Sequence, residues 1–284
     1  MTGSFDKYKK IQGEKMKKRI IGILMAFTLA NSLLLAGCGS KSSSSDDLLS
    51  QIQAKGKIVI AMEGQWAPWT YHDESGELVG YDTEVGKAIA SKLGVEAEFV
   101  EGEWDGLFTG LDGGRYDLII NGVDYTEERA QKYDFSIPYA YNRTALVVKG
   151  DNTSINSFED LAGKKTSNSL GSTYADDAVG YGATVENVDT LSETMDMIIS
   201  GRVDATLNAE VSVYDYLKEH PDADIKIVAL SEDATSVVIP MKKGEQSAAL
   251  VEAVNKALSE IAKEGTLSEL SVKYFGGDIS KGNE

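Results

Sequence analysis

Lys57-Ile58-Val59-Ile60-Ala61-Met62 opens an ordered alternation of strands and helices. Its β-branched side chains suit the crowded, pleated surface of a strand. Asp82-Thr83 then starts a helix with Val85, Ala88, Ile89 and Leu93 at helical spacing, and Gly94 ends it. Residues 96–100 alternate polar and apolar like a strand, residues 105–113 read as a short helix, and residues 117–121 as a buried strand. This β-α-β-α-β order implies a mostly parallel sheet covered by helices. A second set follows, with strands at 164–168, 204–207 and 225–230 and helices at 174–179, 193–200 and 211–219. The tail, 245–274, reads as a helix with Leu250, Val254, Leu258 and Ile261 on one face. Two α/β lobes are expected, without an internal repeat.

The 284 residues suit one large or two modest domains at roughly 100–200 residues each. A hydrophobic share of 42% supplies apolar surface for real cores. Residues 1–37 hold seven basic and two acidic side chains, which leaves 21 basic against 43 acidic beyond them, a formal charge of −22. Such a surface repels phosphate backbones and excludes nucleic-acid binding. Two histidines, His72 and His220, and one cysteine exclude disulfides, Cys-rich zinc sites and His-centred nucleophile systems. No metal and no cofactor is expected.

At the front, basic residues end in Met16-Lys17-Lys18-Arg19 and an uncharged apolar run follows to Ala36. A charged segment before an apolar one describes a secretory signal. The run is short of the ~20 apolar residues that cross a membrane. Leu35-Ala36-Gly37-Cys38 resembles the lipobox of bacterial lipoproteins, which implies lipidation of Cys38 after cleavage. Residues 1–37 are expected to be a lipoprotein signal peptide with a natural start at Met16. Residues 38–55 are expected to be the lipidated cysteine and a Ser-rich flexible tether.

Ligands of open α/β sheets collect beyond the carboxyl ends of strands. The loop after residues 57–62 is Glu63-Gly64-Gln65-Trp66-Ala67-Pro68-Trp69, and Trp104 precedes Asp105-Gly106-Leu107. Trp69 is expected in the core, and Trp66 and Trp104 as walls for a ligand. A second loop is Asn121-Gly122-Val123-Asp124-Tyr125-Thr126-Glu127-Glu128-Arg129, in which Thr126 can cap a helix. Arg129 then falls near a helix start, where the dipole disfavours a cation. Either it pairs with Glu127 or Glu128, or its guanidinium fork meets a ligand carboxylate. The third loop, Ser169-Leu170-Gly171-Ser172-Thr173-Tyr174, is a strand-to-helix turn whose free N–H groups favour an anion. Gly163-Lys164-Lys165-Thr166 is no phosphate loop, because position 158 is Phe rather than Gly.

From about residue 57 to 277 the chain resembles the family 3 extracellular solute-binding proteins, the polar amino-acid receptors of ABC importers. The resemblance rests on Trp66-Ala67-Pro68-Trp69, Gly76-Glu77-Leu78-Val79-Gly80-Tyr81-Asp82, Trp104-Asp105-Gly106-Leu107, and Thr126-Glu127-Glu128-Arg129 with Asp134-Phe135-Ser136-Ile137-Pro138-Tyr139. Gly201-Arg202-Val203-Asp204-Ala205 and Gly265-Thr266-Leu267 with Tyr274-Phe275-Gly276 complete it.

It implies a two-lobed fold like the type II periplasmic binding proteins, each lobe a mostly parallel sheet flanked by helices, joined by a two-strand hinge. Lobe 1 would comprise 56–141 and 238–284, and lobe 2 142–237. It also implies a high-affinity extracytoplasmic receptor, not an enzyme. That receptor would be lipid-anchored at Cys38 to the outer face of the bacterial cell membrane and monomeric. It would capture a polar or cystine-like amino acid by lobe closure and deliver it to an ABC permease.

The alternatives are a dehydratase-like enzyme on this scaffold or a sensory domain; no signalling region follows residue 284, which favours a free-standing receptor. Carried over by residue, Arg129 pairs with the ligand α-carboxylate, aided by backbone N–H near Ser172 and Thr173 in the Ser169 loop. Asn121 and Gly122 offer backbone groups to its amino end, Trp66 and Trp104 sandwich its side chain, and Glu63 reads that side chain. Relatives hold the ammonium with an acid where this chain has Ala209, between Asn208 and Glu210. Asp124 is expected to replace it from the other lobe, with Glu210 as the alternative.

Overall fold

A computed structural model of the chain describes residues 47–282. The expected signal peptide, the lipidated Cys38 and the tether up to residue 46 lie outside the described residues. In chain order, helix α1 (Leu48–Lys55) leads to strand β1 (Lys57–Met62), short strands β2 (Gln65–Trp66), β3 (Thr70–His72) and β4 (Leu78–Val79), helix α2 (Tyr81–Leu93) and β5 (Glu96–Glu101). Then come α3 (Trp104–Asp112), β6 (Leu118–Ile119), α4 (Glu127–Lys132), β7 (Tyr133–Phe135), β8 (Ala140–Asn142), β9 (Thr144–Lys149) and β10 (Lys165–Asn168). Next are α5 (Thr173–Gly180), β11 (Thr184–Asn187), α6 (Leu191–Ile199), β12 (Ala205–Ala209), α7 (Glu210–Glu219) and β13 (Ile225–Leu230). β14 (Thr235–Val237), β15 (Pro240–Lys242), α8 (Glu245–Lys263) and α9 (Thr266–Phe275) complete the described chain.

Two five-stranded sheets result, ordered β5-β1-β6-β15-β7 and β11-β10-β12-β9-β13. In the first, β1 lies parallel to β5 and β6, and β15 runs against β6 and β7. In the second, β10 lies parallel to β11 and β12, and β9 runs against β12 and β13. Each sheet thus has four strands in one direction and one reversed, which is the mostly parallel lobe that was expected.

Burial on both faces explains why β1 reads as an unbroken apolar run. Ile58, Ile60 and Met62 face a core shared with Val85 and Ile89 of α2 and with Leu250, Val254, Leu258 and Ile261 of α8. Ala61, of opposite parity, joins Leu107 and Leu111 of α3. β9 divides likewise, with Leu146 and Val148 in one cluster and Ala145 and Val147 in another.

The lobes are joined where β8 pairs antiparallel with β14, Ala140 opposite Val237 and Asn142 opposite Thr235. Flanking backbone widens this ribbon: Tyr125 N–H donates to Ser236 O at 2.9 Å, Val238 N–H to Val123 O at 2.8 Å, and Tyr141 N–H to Ile279 O at 2.8 Å.

Three expectations change. Residues 48–55 are helix α1 rather than tether: Asp47 caps it by accepting from Ser50 N–H at 2.9 Å, and Ile52 is 1% exposed in the first core. The tail is two helices, because Gly265 at φ 86° turns the chain between α8 and α9. The strand at 117–121 contracts to β6, as Asp117 spends its carboxylate on Val59 N–H at 2.7 Å.

Candidate functional site

The carboxyl ends of β1, β6, β10, β11 and β12 meet in a cleft between the two sheets. Arg129 reaches into it. Thr126 caps α4 by accepting from Arg129 N–H at 3.1 Å, which places Arg129 in the first turn of that helix. Nη1 donates to Asp124 O at 2.9 Å and Nη2 crosses to Gly171 O on the second lobe at 3.0 Å. The guanidinium lies 5.4 Å from the Trp104 ring and 5.5 Å from Phe108, within cation–π range. Burial pushes its pKa down, opposed by the Asp124 charge. The surface-pairing alternative fails: Glu128 pairs with Lys132, and Glu127 accepts from Tyr125.

Two acids, Asp124 buried and Glu63 half-buried, share the cleft with that cation. Asp124, 6% exposed, has its pKa pushed up to about 6 by burial, against the hydrogen bond from Thr173 and the charge of Arg129. Thr173 Oγ1 donates to it across the lobes at 2.5 Å. Glu63 is pushed up to about 7 by burial, while Asn121 Nδ2 donates to it at 2.6 Å. Asn121 also accepts from Glu63 N–H at 2.7 Å, so its fully buried amide brackets Glu63 from behind instead of lining the cleft.

Gly122 carries its neighbours through a left-handed turn at φ 55°, where a Cβ would stand 2.5 Å from the Trp66 ring. Its N–H donates to Asp82 Oδ2 at 2.6 Å, so its carbonyl is the group it can offer a ligand. Trp66 stacks on Trp69 at 5.5 Å and donates Nε1 to Asn208 Oδ1 on the second lobe at 3.2 Å. Trp69 is fully buried, as expected.

From the second lobe, Ser172 caps α5, accepting from Ala175 N–H at 3.1 Å and donating to Ser169 O at 2.6 Å. That leaves the first-turn amides of Thr173 and Tyr174 at the positive end of the helix. Glu210 is elsewhere: Arg143 Nε and Nη2 clasp its two carboxylate oxygens at 2.9 and 2.8 Å, outside the cleft. It is therefore engaged already and does not serve as the alternative ammonium partner.

The cleft also includes residues that sequence reasoning missed, among them Gln65, Asn168, Tyr174, Asp189 and Thr190. Asn168 ends β10, and Asp189 follows β11 by two positions. The strand-end rule would have found both. Nδ2 of Asn168 is committed to Leu207 O at 2.6 Å, and its Oδ1 is buried with no donor.

Chemically this is an acceptor-rich cleft with one guanidinium, two helix-end amides and indole walls, and three hydrogen bonds cross it from lobe to lobe. It suits a small dipolar molecule.

Residues 58–277 match the model of the bacterial extracellular solute-binding proteins, family 3. The L-cystine-binding protein TcyA of Bacillus subtilis (strain 168) is 39% identical over 272 residues, covering 94% of this chain and 100% of the relative. An ancestral arginine-binding protein solved with arginine superposes with a TM-score of 0.73 at 40% identity, over 78% of this chain and 99% of that one. The unliganded, open L-cystine receptor of Neisseria gonorrhoeae, also 40% identical, scores 0.56 over 82% of this chain and 98% of its own. At equal identity the arginine-bound ancestral protein superposes better than the open cystine receptor, a different protein.

Proposed function

We propose, from the premise that this chain belongs to the bacterial extracellular solute-binding proteins of family 3, that its cleft captures an amino acid by lobe closure for an ABC importer. The single observation behind this reading is the Arg129 guanidinium turned into the interlobe cleft, where its Nη1 donates to the main-chain carbonyl of Asp124. A ligand α-carboxylate would take over from the Gly171 carbonyl as a charge-assisted partner and add the amides of Thr173 and Tyr174. The α-ammonium would sit on Asp124 and the Gly122 carbonyl. Trp66 and Trp104 would flank the side chain, with Glu63 at its far end. The lobes would be 56–141 with 238–284 and 142–237, turning about β8 and β14.

Lipidation at Cys38 would anchor this receptor outside the cell membrane, as a monomer presented to a permease. A cystine-like ligand is favoured by the name of the Bacillus relative and by two acids in the cleft, Asp124 and Glu63, that could meet two ammonium groups.

Thermal-shift and calorimetric titration of the chain against the common L-amino acids and L-cystine test the reading. A rise in melting temperature with one of them, lost in Arg129→Met, is the expected result. No response to any of them refutes it. Absence of new product after incubation separates the receptor from a dehydratase-like enzyme.

A further inference from the structure

Asp82 is wholly buried, and neither of its partners belongs to its own helix. Oδ2 accepts from Gly122 N–H at 2.6 Å and Oδ1 from Tyr139 Oη at 2.8 Å. It lies in the first turn of α2 yet caps nothing there, since Gly80 stands at the N-cap with no side-chain bond. An apolar residue would fill such a core position without the desolvation that a carboxyl group brings. The two partners show what the carboxyl does.

Gly122 is the peptide between Asn121, which brackets Glu63, and the segment carrying Asp124. It is also the surface on which Trp66 rests, because any Cβ there would enter the ring. Tyr139 immediately precedes hinge strand β8, and its N–H donates to Val237 O, at the end of β14, at 3.0 Å. Tyr81, the neighbour of Asp82, donates its hydroxyl to Tyr139 O at 2.9 Å.

We propose that Asp82, which touches no ligand, is a positioning residue: its carboxyl clamps the Gly122 peptide to the hinge residue Tyr139, setting the spacing of Glu63, Trp66 and Asp124 and joining the binding floor to the pivot. The inference rests on the amino-acid receptor reading. It goes beyond it in assigning a role to a core acid outside the cleft.

The test uses the full chain carrying Asp82→Asn and, separately, Tyr139→Phe, with calorimetric titration of L-cystine and L-arginine and thermal unfolding without ligand. The parent is measured first; if it binds neither these nor any common amino acid, the receptor reading fails and the inference falls with it. Given a binding parent, Asp82→Asn is expected to raise the dissociation constant about tenfold or more at temperatures well below its own melting transition. Tyr139→Phe, which leaves the Gly122 bond in place, is expected to raise it by a smaller factor. The double variant is expected to lose less than the product of the two single effects, as members of one network do.

A merely structural acid would lower the melting temperature and leave the dissociation constant of the folded protein within about twofold of the parent, which overturns the proposal. Should Asp82→Asn not fold, Tyr139→Phe decides: affinity within about twofold of the parent overturns it, and a clear loss sustains it.

Discussion

At the residue scale the cleft is organised around one cation and two acids that are held by neutral donors. Replacing Arg129 by Met removes the charge-assisted partner of a ligand carboxylate. About 100-fold weaker amino-acid binding is expected by titration calorimetry, or about 3 kcal/mol. Asp124 makes a second prediction. Its carboxyl titrates near 6 without ligand, and an ammonium beside it favours the ionised form. Binding therefore releases a proton as pH falls through about 6, and the dissociation constant should rise by up to about tenfold per pH unit below that point. Calorimetry in buffers of different ionisation enthalpy reads the released proton; Asp124→Asn should flatten the slope.

That Arg129, Asp124, Trp66 and Trp104 line the cleft was legible because each falls just beyond a strand end or in the first turn of a helix, with a chemistry that is odd for a surface. Glu210 misled because Asn208, two positions earlier, faces the cleft, while Arg143, 67 residues away, claims the Glu210 carboxylate. Only tertiary pairing reveals that.

At the scale of elements, strands and helices with two buried faces or a capped end were readable from pattern alone. β1 and α2 emerge from composition and Gly94, whose φ of 72° ends α2 as expected. The sheet of β2, β3 and β4 has strands of two or three residues, too short for any period to register. The break at Gly265 hid inside a run of otherwise helical spacing. Helix α5 offers a prediction of its own. Ser172 is its cap, so Ser172→Ala should reduce stability by about 1 kcal/mol. It should also weaken ligand binding by a few-fold, since the same turn presents the Thr173 and Tyr174 amides. Denaturant melts and titration on one sample separate the two effects.

At the scale of the molecule, closure draws on three hydrogen bonds, from Thr173 to Asp124, from Arg129 to Gly171 and from Trp66 to Asn208. A ligand shifts the balance of open and closed forms only through its preference for one of them. Thr173→Val removes one crossing bond and leaves Asp124 short of a donor. Small-angle scattering of the ligand-free variant should therefore show a larger radius of gyration than the parent, converging on addition of ligand. The pivot itself is reinforced from behind: Ile279 takes the Tyr141 amide, and Ser271 Oγ in turn accepts from Ile279 N–H at 2.8 Å. A dye attached at Asp278 or Ser280 would thus ride near the axis of rotation and report little. One at Leu170, 54% exposed and next to the Gly171 carbonyl that Arg129 reaches from the other lobe, would feel the lobes meet and make this protein a fluorescent gauge of its own nutrient.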